Sequence, residues 1–205
     1  MTTSLLVATL NKGKLRELKE LLSDLPFVLL SLEDFPGIET IPETGSTFLA
    51  NASLKASGYA RQAGVLTLAD DSGLVVDALG GRPGVYSARY AGEDTSDAAR
   101  VDKLLDEIRD TEVSKRTARF VSVTAIAASD GLILNASQGV CEGHIALEPR
   151  GAQGFGYDPV FLPEAYNLTF AELTPQIKNQ LSHRARSLKG TRDFLLALTA
   201  ASDGS

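Results

Sequence analysis

The hydrophobic pattern changes period several times along the chain, and each change predicts an element. Leu5-Leu6-Val7-Ala8 is an unbroken apolar run of strand length, the pattern of a strand buried on both faces. Thr9 to Gly13 is polar. Leu15, Leu18, Leu21 and Leu22 then recur at helical spacing and predict a helix from about Gly13 to Ser23. Phe27-Val28-Leu29-Leu30 predicts a second strand, and a strand-helix-strand opening belongs to an α/β sheet.

Pro42-Glu43-Thr44-Gly45-Ser46 is turn-like, and Ser46 or Thr47 can cap a following helix. Phe48, Leu49, Ala52, Ala56, Tyr59, Ala60 and Ala63 supply that helix's apolar positions, and Gly64 stops it. Leu66 to Ala69 predicts the next strand, ending at Asp70-Asp71. Ser96-Asp97 opens a helix with Val101, Leu104, Leu105 and Ile108 on one face. Phe120 to Ala128 and Leu132 to Gln138, separated by Asp130-Gly131, predict a hairpin, and Val140 to Ile145 a further strand. Thr174-Pro175 starts a short helix. Ser182 caps a last helix ending near Thr199, with residues 200–205 fraying. The expectation is one domain over residues 1–205: an α/β lobe interleaved with an antiparallel lobe, and a substrate cleft between them.

Composition narrows the function. Twenty-six acidic against 20 basic residues give a net charge of −6, which argues against a general nucleic-acid binder but leaves room for a local basic pocket for a small anion. The single cysteine, Cys141, permits no internal disulfide. No apolar run reaches the roughly 18 residues of a membrane span. MTTSLLVATL lacks the basic start and apolar core of a secretory leader, so a cytoplasmic location is expected.

Several segments carry candidate chemistry. Thr9-Leu10-Asn11-Lys12-Gly13-Lys14 joins a strand to a helix N-terminus, where backbone N–H groups and a lysine suit phosphate, although the spacing is not a Walker A loop. Glu43 in its turn and Asp70-Asp71-Ser72 offer oxygens of the kind Mg²⁺ takes together with substrate phosphates. Adjacent strand residues point to opposite sides, so Asp70 and Asp71 need not share a role. Lys55 lies on the helix after Glu43. Gly80 to Tyr90 mixes turn residues with Arg82, Arg89 and tyrosines, which fits a phosphate contact, a subunit contact or a structural loop. Gly154-Phe155-Gly156-Tyr157-Asp158 sets an aromatic face between glycines, and Lys178, Ser182, His183 and Arg184 add donors. Taken singly, each segment fits an ordinary turn, cap or solvated side chain equally well. No nucleophile elbow or zinc pattern is present.

Together, the segments resemble the inosine triphosphate pyrophosphatase family, the non-canonical purine NTP pyrophosphatases. The resemblance rests on Thr9 to Lys14, Glu43 to Ala56, Ala69 to Leu74, Gly84 to Tyr90, Gly154 to Pro159 and Ser182 to Arg184, in the family's order. It implies an α/β fold with an elongated central mixed sheet and two α/β lobes flanking a substrate cleft. It implies Mg²⁺-dependent hydrolysis of ITP, dITP and XTP to the monophosphate and pyrophosphate by a homodimer. Residue by residue, it makes Asp71 the general base and a metal ligand, with Glu43 and Asp70 as further metal carboxylates. Substrate-binding positions are Thr9, Leu10, Asn11, Lys12, Gly13, Lys14, Lys55, Ser72, Phe155, Gly156, Tyr157, Asp158, Lys178, His183 and Arg184. Leu10 stands where many relatives carry a small residue. Donors from His183 or Arg184 would suit the carbonyl at purine C6 and be left unpaired against adenine's amino group. The rival readings are a broader NTP pyrophosphatase and a nucleotide-sensing module.

Overall fold

The structure, a computed structural model, describes residues 3–164 and 166–203. The elements are β1 (Thr3–Val7), α1 (Lys12–Leu21), β2 (Phe27–Ser31), α2 (Phe48–Ala63), β3 (Leu66–Val76), α3 (Asp97–Glu107), β4 (Thr117–Ala127), β5 (Ile133–Ile145), β6 (Phe161–Pro163), α4 (Pro175–Leu181) and α5 (His183–Asp203). The strands form a six-stranded sheet in the order β2-β1-β3-β4-β5-β6. β1 runs parallel to β2 and β3, whereas β5 and β6 are antiparallel, so the sheet is mixed and the fold class is α/β, as expected. Among the described residues no helix is long and apolar enough to cross a membrane.

Local chemistry sets most helix starts. Asn11, Thr47, Ser96 and Thr174 are N-caps in extended conformation, and each accepts from the backbone N–H three residues on. Pro175 occupies the first turn of α4, where its missing N–H costs nothing. Gly64 ends α2 in the left-handed region, at φ 67°.

The chain divides into two compact units. The first comprises Met1–Asp71, Ser122–Gly139 and Arg184–Ser205. Here the sheet is covered on both faces. Leu5, Val7, Leu68 and Ile126 pack with Leu18 of α1, Leu22 at its C-cap, and Leu188 and Leu195 of α5. Leu6, Ala8, Ala69 and Ala125 pack with Ala52, Ala56, Tyr59 and Ala60 of α2. The second unit comprises Ser72–Val121 and Val140–His183. Its core joins Val101 and Leu104 of α3 and Ile108 at its C-cap to an aromatic group of Phe120, Tyr157, Phe161 and Phe170.

Three expectations change. β3 does not end at Ala69; it continues through both aspartates to Val76. The predicted strands at Leu132–Gln138 and Val140–Ile145 are one strand, β5, because Gly139 continues the extended backbone instead of breaking it. α5 runs to Asp203, past the expected end near Thr199, and residues 204–205 of the tail expected to fray lie outside the described residues.

Gly143 shows how closely the second unit's edge is built. It pairs with Pro163, and a Cβ on it would stand 2.2 Å from the Leu162 carbonyl oxygen. Backbone cannot yield as a flexible side chain can, so Gly143→Ala is expected to destabilise the protein by about 1–3 kcal/mol. Thermal unfolding measures this, and an unchanged melting temperature would show that β6 moves aside freely.

Candidate active site

The alternation of β3 gives its two central acids to different neighbours. Leu68 packs with α1 and α5, and Ala69 with α2. Asp70 follows Leu68 in register and Asp71 follows Ala69. Both carboxylates are nearly inaccessible, at 1% and 4% exposure. A charge so buried is tolerated only with partners, and each has its own.

Asp71 meets α2. Asn51 Nδ2 donates to Asp71 Oδ2 at 3.2 Å, and Lys55 Nζ donates to Asp71 Oδ1 at 3.1 Å. Asn51 and Lys55 are one helical turn apart, so a single helix face holds both oxygens. Lys55 Nζ also reaches Glu43 Oε1 at 2.5 Å. Burial is the largest influence on Asp71 and raises its pKa; Lys55 and Lys14 oppose the rise without cancelling it, and Glu43 adds to it. Burial alone would lower the Lys55 pKa, but Asp71, Asp70 and Glu43 outweigh it and raise it.

Asp70 meets α1 and α5. Lys14, in the first turn of α1, pairs with Asp70 Oδ2 at 3.2 Å, and Arg184 Nε lies 3.6 Å from the same oxygen. Arg184 is also paired with the buried Glu17 of α1. A cation in the first turn of a helix opposes its dipole, and these two carboxylates offset that cost at α5. Burial pushes the Asp70 carboxyl upward, yet Lys14, Arg184 and Lys55 overcome it and hold the carboxyl well below the usual range. Lys14 is itself lowered, chiefly by burial. Two adjacent aspartates are thus driven in opposite directions by their different neighbours.

The donor set suits a hard divalent cation. Glu43 and Asp71 already turn oxygens toward one positive centre, the Lys55 ammonium. Among the described residues, no group of three or more His, Cys, Asp or Glu gathers to hold a metal ion alone. A Mg²⁺ ion would therefore draw its remaining ligands from water and substrate phosphates, its usual habit. Asp70, expected as a third carboxylate, is directed to Lys14 and Arg184.

The remaining residues of the phosphate segment are at hand at the start of α1. Thr9 Oγ1 accepts from Asn11 N at 3.2 Å, and Asn11 Oδ1 from Lys14 N at 3.0 Å. Leu10 is 67% exposed and Lys12 is exposed, so neither is committed to the core, while Gly13 is half-buried.

The second unit holds a separate constellation. Asp158, 3% exposed, accepts from Phe155 N at 2.8 Å and from Lys178 Nζ at 2.6 Å, both on Oδ2. Gly154 has φ 79°, and a Cβ there would lie 2.0 Å from that oxygen, so only glycine allows the loop to close on Asp158. Gly156 N donates to Asp97 Oδ2 at 2.6 Å and Tyr157 OH to the Ser87 carbonyl at 3.0 Å, anchoring the loop. Lys178 Nζ lies 5.0 Å from the Phe155 ring centre and 5.5 Å from that of Phe170. His183 stacks on Phe120 at 4.6 Å. Ser72 is half-buried on β3. In the Gly80–Tyr90 loop, Arg82 pairs with Glu107 at 3.0 Å and Arg89 lies over the Tyr86 ring at 5.2 Å, so both have structural partners.

Two assignments are refined by this geometry. Arg184, expected beside His183 to read the base, instead directs its guanidinium at Glu17 and Asp70 in the first unit. Asp158, expected as a substrate-binding position, braces its own loop and Lys178. Glu17 and Asn51 were not anticipated as site residues. Glu17 had a visible signal, being an acid beside Leu18 on the apolar side of α1.

Such a fold and site define an α/β protein with a buried carboxylate–lysine cluster suited to a metal-bound polyanion. Residues 5–194 match the Ham1 family, and the chain belongs to it. It is 49% identical over 192 residues to the dITP/XTP pyrophosphatase of Oceanobacillus iheyensis, covering 93% of this chain and 97% of that protein. It is 51% identical over 193 residues to that of Geobacter sulfurreducens, covering 94% and 96%. The solved HAM1 protein from Coxiella burnetii superposes with a TM-score of 0.84 at 42% identity, covering 97% of this chain and 99% of that one.

The two aspartates should respond oppositely to one substitution. Asp70→Asn strands Lys14 and weakens the hold on Arg184, which is expected to cost on the order of 3 kcal/mol. Because the folded Asp70 pKa lies below its ordinary value, its ionised form stabilises the protein above pH about 4, and the effect is lost as pH falls through the folded value. Asp70→Asn should therefore also flatten the acid limb of stability. Asp71→Asn removes a charge that burial disfavours and should leave the melting temperature near wild type. Thermal unfolding between acid and neutral pH reads both, and equal losses from the two variants would contradict the division.

Proposed function

We propose that this protein hydrolyses non-canonical purine nucleoside triphosphates, namely ITP, dITP and XTP, to the monophosphate and pyrophosphate. The observation that carries the reading is the buried Asp71, raised in pKa and sharing the Lys55 ammonium with a second carboxylate, Glu43. The names of its relatives, about half identical over nearly their whole length, support the substrate class.

In this mechanism the phosphates bind at Lys14, Lys55 and the start of α1. Glu43 and Asp71 would hold Mg²⁺, which when bound draws charge from the phosphates. Asp71 orients a water and accepts its proton as the oxygen attacks the α-phosphorus. The bond from the α-phosphorus to the bridging oxygen breaks, and pyrophosphate leaves with charge balanced by the lysines. We assign the base to the Phe155 face, with donors from Lys178 and His183 meeting the carbonyl at purine C6. A buried donor left unpaired costs about 1–3 kcal/mol, so two such contacts disfavour adenine strongly. The resemblance also supports a cytoplasmic homodimer; light scattering that finds only monomer would remove the dimer.

Pyrophosphate release should be measured on ITP, dITP, XTP, ATP and GTP, with and without Mg²⁺. The expected kcat/KM for ITP exceeds that for ATP by on the order of 10²-fold. Release should require the metal, and Asp71→Asn should abolish it while the protein stays folded. Equal turnover of all five nucleotides would point to a broad NTP pyrophosphatase, and full activity in Asp71→Asn would remove Asp71 as the base.

A further inference from the structure

Asn51 is completely buried in the first turns of α2, and both ends of its amide are used. Its Oδ1 accepts from Gly45 N at 2.7 Å, and its Nδ2 donates to Asp71 Oδ2 at 3.2 Å. The Gly45 N–H can only donate, so it fixes which way the amide points and leaves the NH₂ group for Asp71. The approach is close. A Cβ on Gly45 would stand 2.7 Å from Asn51 Oδ1 and 2.7 Å from Ala50 Cβ, so the turn carrying Glu43 packs directly on the start of α2. Asn51 therefore ties Asp71 and the Glu43 turn to one rigid point.

We propose that Asn51 is a positioning residue for the hydrolysis, fixing the Asp71 carboxylate and holding the Glu43 turn in register with it. The proposal rests on the reading of Asp71 as the base. The second donor on Asp71, Lys55, is a cation shared with Glu43 and drawn toward any phosphate that enters. Asn51 is neutral, so a polyphosphate exerts no comparable pull on it. When Lys55 turns to the substrate, Asn51 remains on Oδ2. The carboxylate keeps its orientation, and Oδ1 is the oxygen released to take the water's proton. A neutral fixed donor beside a charged mobile one thus separates orientation from charge compensation.

The test uses Asn51→Asp and Asn51→Ala with ITP as substrate. Asn51→Asp keeps the size and the acceptor toward Gly45 but places an oxygen against Asp71 Oδ2; Asn51→Ala removes both bonds. A positioning role predicts a fall in kcat of about 10–100-fold with KM little changed. A second measurement needs no turnover: the Asn51 side-chain amide protons should exchange slowly in ¹H–¹⁵N spectra and shift when Asp71 becomes Asn. A folded Asn51→Asp with wild-type kcat overturns the proposal, as does an Asn51 amide signal indifferent to Asp71→Asn. If neither variant folds, the amide signal of the wild type and of Asp71→Asn decides. If the wild-type protein does not cleave ITP, the hydrolysis reading fails first, which separates that failure from this one.

Discussion

The burial of two adjacent carboxylates in the middle of β3 is the constraint from which the first unit's site follows. A carboxylate taken out of water is stable only with opposite charge and hydrogen bonds around it. Strand alternation forbids one set of partners from serving both acids. The helices on the two faces of the sheet must each supply their own: Lys14 from α1 and Arg184 from α5 for Asp70, Asn51 and Lys55 from α2 for Asp71. Glu17 adds a second buried carboxylate beside the Arg184 guanidinium.

The charge count on the two faces explains why the acids diverge. Around Asp70 the named groups are two carboxylates, Asp70 and Glu17, and two cations, Lys14 and Arg184. That side is balanced and holds its acid ionised. Around Asp71 they are two carboxylates, Asp71 and Glu43, with Lys55 in contact and Lys14 acting from farther off; burial outweighs both cations and lifts the acid. A divalent cation arriving with phosphates would add compensation on that side. On the proposed reading, Asp70 is the structural acid and Asp71 the reactive one. Residue type does not separate them; the helix behind each one does.

This division bears on what could be read from the chain alone. Helix starts at Thr47, Ser96 and Thr174 and the stop at Gly64 were legible, because capping is decided within a few residues. The continuation of β3 was not. Aspartate is depleted in strands, and the compensating Lys14, Lys55 and Arg184 stand far away in sequence. The site's chemistry was legible as a set of types and an order, which the family resemblance turned into roles. The partners within it were hidden for the same reason as the strand: whether Arg184 turns to a base or to Glu17 depends on how α5 packs on α1, and no local pattern encodes that. Asn51 sat in plain view within the Glu43–Ala56 segment, but a lone asparagine in a helix carries no sign of being wholly buried.

The second unit applies the same logic to a cation. Lys178 is desolvated, held by Asp158 at 2.6 Å and flanked by the Phe155 and Phe170 rings. Asp158 can do this because Gly154 lets the loop fold onto its carboxylate, while Phe155 N takes part of the same oxygen. An ammonium so restrained has little freedom to retreat from a mismatched partner. On the proposed assignment, a base that turns an amino group toward it sets donor against donor, and neither can relax into solvent. A base that turns a carbonyl toward it gains a charge-assisted hydrogen bond, of the stronger kind. Discrimination then follows less from the identity of Lys178 than from its rigidity, and Asp158 contributes to specificity by immobilising the donor without touching the base itself.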